Sequence, residues 1–139
     1  GGVPASRFHP MPVEQDPALA ATAYAQELAS CIGTPPCLDI VQLGLGADAH
    51  TASLIPGDPL LAVTDRSVGV SEVYQGTQRL SLTLPVLNRA RHRLWLVTGA
   101  DKARALRALI EGDRSLPCGQ VVSEGSVVYA DVAAAERLG

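Results

Sequence analysis

No stretch of this 139-residue chain supplies the roughly 18 to 20 uninterrupted apolar residues that a membrane span needs. The opening GGVPASRFHP also lacks the basic and apolar regions of a secretory signal. A soluble, cytoplasmic chain with no membrane partner is therefore expected. Runs of like charge are missing too: the formal net charge is -3, with acidic and basic residues mixed along the sequence. That argues against nucleic acid and anionic surfaces as partners. Cysteine is scarce and unpaired in pattern. Cys31, Cys37 and Cys118 are odd in number and form no CxxC, so neither a disulfide framework nor a zinc knuckle is expected. No spaced cluster of His, Cys and Asp offers the three or four converging ligands of a metal site, and none is assigned. An initiating Met is also lacking, and the first dozen residues are rich in Gly and Pro, which suits the interior of a longer protein.

What is present is enough for a core: 47% of the residues are hydrophobic, at a length typical of one domain. Residues 1–15 carry prolines without periodicity and are expected to be an irregular lead-in, with a single domain over 16–139. Asp16-Pro17 supplies a cap and a first-turn proline for a helix over 17–30, closed by Gly33 and Pro35-Pro36. LDIVQLGL is a short apolar run suited to a buried parallel strand. SVGVSEV suggests another strand, and RLSLTLP alternates with period two until Pro85, followed by a helical turn in PVLNRA. HRLWLVTG again has the pattern of a buried strand, with Trp95 in the core. ADKARALRALIEG is a helix with Leu106, Leu109 and Ile110 on its apolar face and Gly112 at its end. SVVYAD is a last strand, and DVAAAERL a small helix capped by Asp131. Strands alternating with helices predict an α/β fold: an open, Rossmann-like, mostly parallel sheet with helices on both faces.

The stretch GLGADAHTASLIPG, residues 44–57, follows the first of these strands. In an open parallel sheet ligands bind beyond the carboxyl ends of the strands, so this loop sits at the useful edge. Gly44-x-Gly46-x-x-Ala49 fits a relaxed dinucleotide fingerprint, with Asp65 about 20 residues further on as a ribose ligand. Pro56-Gly57 weighs against it, because a following helix would be cut after about two turns. Alternatively His50 is a general base, since an imidazole accepts a proton from water near neutral pH and Asp48 is close enough to orient it. The plainest account is a tight turn in which Asp48 makes an Asx turn and His50 caps a short helix. His9 and His92 have structural or surface settings.

LDIVQLGLGADAHTASLIPG resembles the signature of the 6-phosphogluconolactonases, in which an apolar strand leads into Gly-x-Gly-x-Asp-Gly-His-Thr-Ala-Ser-Leu-Phe-Pro-Gly. RLSLTLPVLNRARHRLWLVTGADKA is similar to the second block of that family, and VPASRFHPMP to the segment before its helix. Ala49 and Ile55 depart from the pattern, standing for Gly and Phe. If position 49 needs a positive φ, its methyl group costs about 1 kcal/mol or more. The family's N-terminal half, with its phosphate loop and Asp-Glu-Arg motif, has no match in residues 1–15, so the resemblance implies the C-terminal part of such a domain.

The resemblance implies hydrolysis of 6-phospho-D-glucono-1,5-lactone, in the oxidative pentose phosphate pathway, with neither metal nor redox cofactor. His50 would be the base and Asp48 its partner. Gly44, Gly46, Thr51, Arg79 and Lys102 would contact the sugar-phosphate substrate, with Arg79 and Lys102 matching basic positions of the family and meeting the phosphate. Two alternatives stand beside it: a glucosamine-6-phosphate deaminase or isomerase, whose pattern after the His runs Ile-Ala-Phe-Asn-Glu-Pro, and a non-catalytic sugar-phosphate or nucleotide binding module. Oligomeric state is open.

Overall fold

The computed structural model describes residues 2–139; Gly1, at the head of the expected lead-in, lies outside the described residues. The lead-in is irregular except for one 3-10 turn at Ala5–Arg7. It is tied to the first helix, α1 (Pro17–Ile32), by a 2.7 Å contact between His9 Nδ1 and Glu27 Oε1. The Asp16 carboxylate accepts the N–H groups of Ala18 and Leu19, which would otherwise lack partners at a helix start. α1 runs two residues past the expected Ser30 and stops at Gly33, whose φ of 86° takes the chain out of helical space.

Three strands form a parallel sheet in the order β1 (Ile40–Leu43), β4 (His92–Val97), β5 (Ser126–Ala130). Ile40 aligns with His92, Leu43 with Trp95, and Val97 with Ala130. The sequence between β1 and β4 holds a separate antiparallel pair, β2 (Val68–Val70) and β3 (Leu80–Leu82). The two expected strands in SVGVSEV and RLSLTLP are therefore a hairpin beside the parallel sheet. α1 packs on this hairpin through Ala21 and Leu28 against Val68.

The alternation of β1 and β4 sends Val41, Leu43, Trp95 and Val97 to one face. There they meet Leu87 of α2 (Leu84–Arg89), Leu106 of α3 (Ala103–Glu111), Cys118 of α4 (Pro117–Gln120) and Ala134 of the 3-10 turn Ala134–Arg137. Leu87 and Leu106 are fully buried, each stabilising the fold by about 1.5–3 kcal/mol relative to an exposed side chain. On the opposite face Ile40, Leu96, Val127 and Tyr129 are exposed. The long helix α1 is committed to the hairpin and does not cover this face. Ile110 also departs from expectation: Leu106 and Leu109 pack inward, while Ile110 is exposed.

Arg93, in the middle of β4, is buried. Its Nη1 donates to the carbonyls of Leu87, Asn88 and Ala90 at the end of α2, and its Nη2 to that of Glu124. A cation at a helix C-terminus is held by the partial negative charge of the last carbonyls. The small C-terminal turn is capped as expected, Asp131 accepting the Ala134 N–H at 2.7 Å. The same carboxylate accepts the Gly99 N–H and so pins the end of β4 to the segment after β5. Among the described residues no helix is long and apolar enough to cross a membrane.

Candidate active site

β1 ends at Leu43 and delivers the glycine loop to the carboxyl edge of the sheet. The loop closes on itself at once: Gly46 N–H donates to the His50 carbonyl at 2.8 Å, and Ala49 N–H to the Gly46 carbonyl at 2.9 Å. Ala49 has a φ of 70° with its methyl group buried in the core. The conditional strain expected of an alanine at this position is therefore present. A Cβ on Gly46 would collide with His50 Nδ1 and Asp48 Oδ1, so only glycine lets the turn pass under this pair.

Within that turn His50 Nδ1 lies 2.6 Å from Asp48 Oδ1, and the same oxygen accepts the His50 backbone N–H at 3.2 Å. A carboxylate only accepts, so neutral His50 carries its proton on Nδ1 and leaves Nε2 with a lone pair. Burial alone would push the Asp48 carboxyl up. The His50 N–H, the His50 ring and the Tyr74 hydroxyl outweigh it and hold Asp48 below the usual carboxylate range.

Gly44, Leu45, Gly46, His50, Ala52 and Lys102 line a cleft of about 340 Å³ beside this pair. Lys102, on the 3-10 turn Ala100–Lys102 after β4, therefore joins residues of the β1 loop; its Nζ is 3.0 Å from Asp101. Thr51 is placed differently from a substrate contact. It is fully buried, and its hydroxyl donates to the Gly44 carbonyl at 2.9 Å, bracing the loop from within. Arg79 is outside this cleft and lines an adjoining groove of about 400 Å³ with Met11 and Ser53. A wider cleft of about 540 Å³ by Trp95 and Val121 brings in neither His nor Cys.

The dinucleotide reading fails on geometry. The loop runs into an isolated Thr51–Leu54 bridge, and the next helical element is the short 3-10 turn Pro59–Ala62. No long helix follows to receive a pyrophosphate, and exposed Asp65 is paired with Arg66. Conversely, Tyr74 belongs to the site although its sequence setting gives no sign of it. Its hydroxyl donates to Asp48 Oδ2 at 3.0 Å, and its ring lies edge-on to His50 with centroids 5.7 Å apart. The Arg79 guanidinium sits 5.2 Å from the centroid of the same ring. An aromatic at a hairpin tip, 26 residues from its partner, has no local pattern to announce that contact.

Residues 1–129 match the family model described as glucosamine-6-phosphate isomerases/6-phosphogluconolactonase. The chain is 39% identical to a 6-phosphogluconolactonase of Synechocystis over 98% of its own length and 60% of the relative's. It is 38% identical to the Rattus norvegicus 6-phosphogluconolactonase, covering 88% of this chain and 52% of that one. A solved crystal structure of a devB protein superposes with a TM-score of 0.87 at 32% identity, over 99% of this chain and 61% of the other. The chain thus spans about 60% of the length of the Synechocystis relative and of a second one from Nostoc.

Proposed function

The chain belongs to the glucosamine-6-phosphate isomerase/6-phosphogluconolactonase family, and on that premise we propose that it hydrolyses 6-phospho-D-glucono-1,5-lactone with His50 as general base. The observation that carries this reading is the 2.6 Å contact that commits His50 Nδ1 to Asp48. Nε2 is then the nitrogen available to water at the glycine-lined cleft. Water attacks the lactone carbonyl carbon as Nε2 takes its proton, giving a tetrahedral intermediate. Collapse re-forms the carbonyl and breaks the bond to the ring oxygen. The imidazolium returns the proton to that oxygen, and the product leaves as 6-phosphogluconate. Asp48 stays ionised throughout and stabilises the transient imidazolium, in line with the donors that already favour its charged form.

Lys102 is the cation on the cleft and the first candidate for the substrate phosphate. Arg79 borders it through Tyr74 and is the second. Gly44 and Gly46 keep the loop free of side chains where the lactone ring approaches. The same roles require no bound metal or redox group.

The test is lactone hydrolysis at neutral pH by the whole chain, against the spontaneous rate, with His50→Ala measured in parallel and both shown folded by circular dichroism. Loss of the base is expected to lower turnover by about 100-fold or more. Near-normal turnover in His50→Ala, or no rate above background from the folded parent, overturns the reading.

A further inference from the structure

We propose that Tyr74 is a positioning residue of this site: its phenol fixes the Asp48 carboxylate, and through it the imidazole of His50, while its ring seats Arg79 at the border of the cleft. The inference rests on the lactonase reading for its kinetic consequences but on geometry alone for the contact network.

Asp48 and His50 are neighbours on one exposed bend, and two bonds from His50 reach a single carboxylate oxygen, Oδ1. Those bonds leave Oδ2 free to swing, because both come from the residue being oriented. The Tyr74 hydroxyl supplies the missing third point. It donates to Oδ2 at 3.0 Å from a different element, so the carboxylate plane is fixed between the loop and the β2–β3 hairpin. A hydrogen bond to an ionised acceptor is about twice as strong as one between neutral groups.

The hairpin is built to deliver this group. Tyr74 and Thr77 exchange backbone bonds at 3.0 and 3.2 Å around Gln75 and Gly76, both at positive φ, the tight turn that matches the twist of paired strands. Its base is bolted down on both sides. Ser71 is buried, donates its N–H to the Arg79 carbonyl at 2.8 Å and accepts the Arg79 N–H on its hydroxyl at 3.1 Å. The buried Asp58 takes the Glu72 N–H at 2.9 Å. Beyond the tip, the Arg79 guanidinium lies over the Tyr74 ring and bonds Gln75 Oε1 at 3.4 Å. One aromatic side chain therefore sets both the base and a phosphate-type cation.

The charged and titratable groups around His50 are Asp48 on its own loop, Tyr74 from the hairpin, Lys102 from the turn after β4, and Arg79 behind the tyrosine ring. Tyr74→Phe removes only the phenol oxygen. The Asp48 carboxylate then keeps only its bonds from His50, and the contact that orients the imidazole loosens.

The experiment compares kcat and KM for the whole chain, Tyr74→Phe and Tyr74→Ala, together with the NMR resonance of the His50 Nδ1 proton in each, which reports its bond to Asp48. For Tyr74→Phe we expect kcat to fall about 10-fold with KM within about two-fold, as misorientation of a catalytic group costs turnover. The Nδ1 proton resonance should be displaced from its position in the parent. Tyr74→Ala should raise KM as well, because Arg79 loses its seat. An unmoved Nδ1 proton resonance in folded Tyr74→Phe overturns the proposal, whether or not the parent hydrolyses the lactone. A fall in kcat accompanied only by lower thermal stability, with that resonance in place, overturns it equally. Absence of lactonase activity in the parent sinks the functional reading instead, and the Nδ1 proton resonance still decides the role of Tyr74.

Discussion

Gly46 has the narrowest tolerance of the loop's glycines to a side chain, because the space beside its Cα is filled by the imidazole of His50 and the carboxylate of Asp48. Gly46→Ala is expected to push His50 aside and reduce lactone turnover by about 100-fold, since displacements near 1 Å cost that much at a reacting centre. Circular dichroism should remain native, as the atoms displaced belong to the partly exposed side chains of His50 and Asp48; full activity in a folded Gly46→Ala protein would refute this account of the turn. The pair itself was legible in the sequence, because Asp48 and His50 are two residues apart and a glycine-rich turn can bring such neighbours together. Lys102 was legible only through family resemblance, since 52 residues separate it from His50 and only the parallel register of β1 and β4 makes them neighbours. Thr51 matched the motif yet points inward, where its hydroxyl satisfies the Gly44 carbonyl. A motif reports which residues a loop needs without separating those that face the ligand from those that hold the loop.

The strand β4 illustrates the same division at the level of an element. Its apolar alternation identifies Trp95 and Val97 as core residues, yet Arg93 occupies the same buried face. Periodicity assigns an arginine to solvent unless something inside can receive it. Here the receivers are main-chain carbonyls at the end of α2, a feature created by chain folding and invisible in side-chain pattern. Arg93→Leu should therefore destabilise the fold by about 3 kcal/mol or more, because several buried carbonyls lose a charged donor at once. Urea denaturation measures it. Arg93→Lys should recover less than half of the loss, as an ammonium lacks the planar fork that reaches several acceptors. A loss below about 1 kcal/mol for Arg93→Leu would show that water replaces the guanidinium there. The helix α4 was missed for a different reason: four residues containing a glycine give no periodicity to detect. The hairpin strands were found, but their separation from the parallel sheet depends on which partner each edge meets, a long-range choice.

At the scale of the molecule, β1, β4 and the helices α2 to α4 converge on a buried layer that includes Cys118, while α1 and the hairpin share a smaller cluster of their own. Burial pushes its thiol up to about 11, above an ordinary value of 9.0. Below pH 9 the thiol is protonated in both folded and unfolded chains and contributes nothing to the pH dependence. Between about pH 9 and 11 the unfolded chain releases the proton while the folded chain keeps it, so stability falls across that window by up to about 3 kcal/mol. Denaturant titrations at pH 8 and 10.5 should show this decline, and Cys118→Ala should lessen it; an equal slope in the variant would locate the effect elsewhere. The open parallel sheet and its order of alternating elements were legible from apolar runs and punctuation by glycine and proline. Which face α1 would cover was not, because one amphipathic helix fits either an open sheet or a hairpin. The strand order also governs when the site can exist. About 50 residues of chain separate Leu43, at the end of β1, from His92, at the start of β4, the strand that β1 pairs with among the described residues. At roughly 5–20 residues per second of synthesis, several seconds pass before β4 leaves the ribosome. The loop that carries His50 waits through that interval for Lys102, which follows β4, so these cleft residues come together only once β4 and the turn after it have been made.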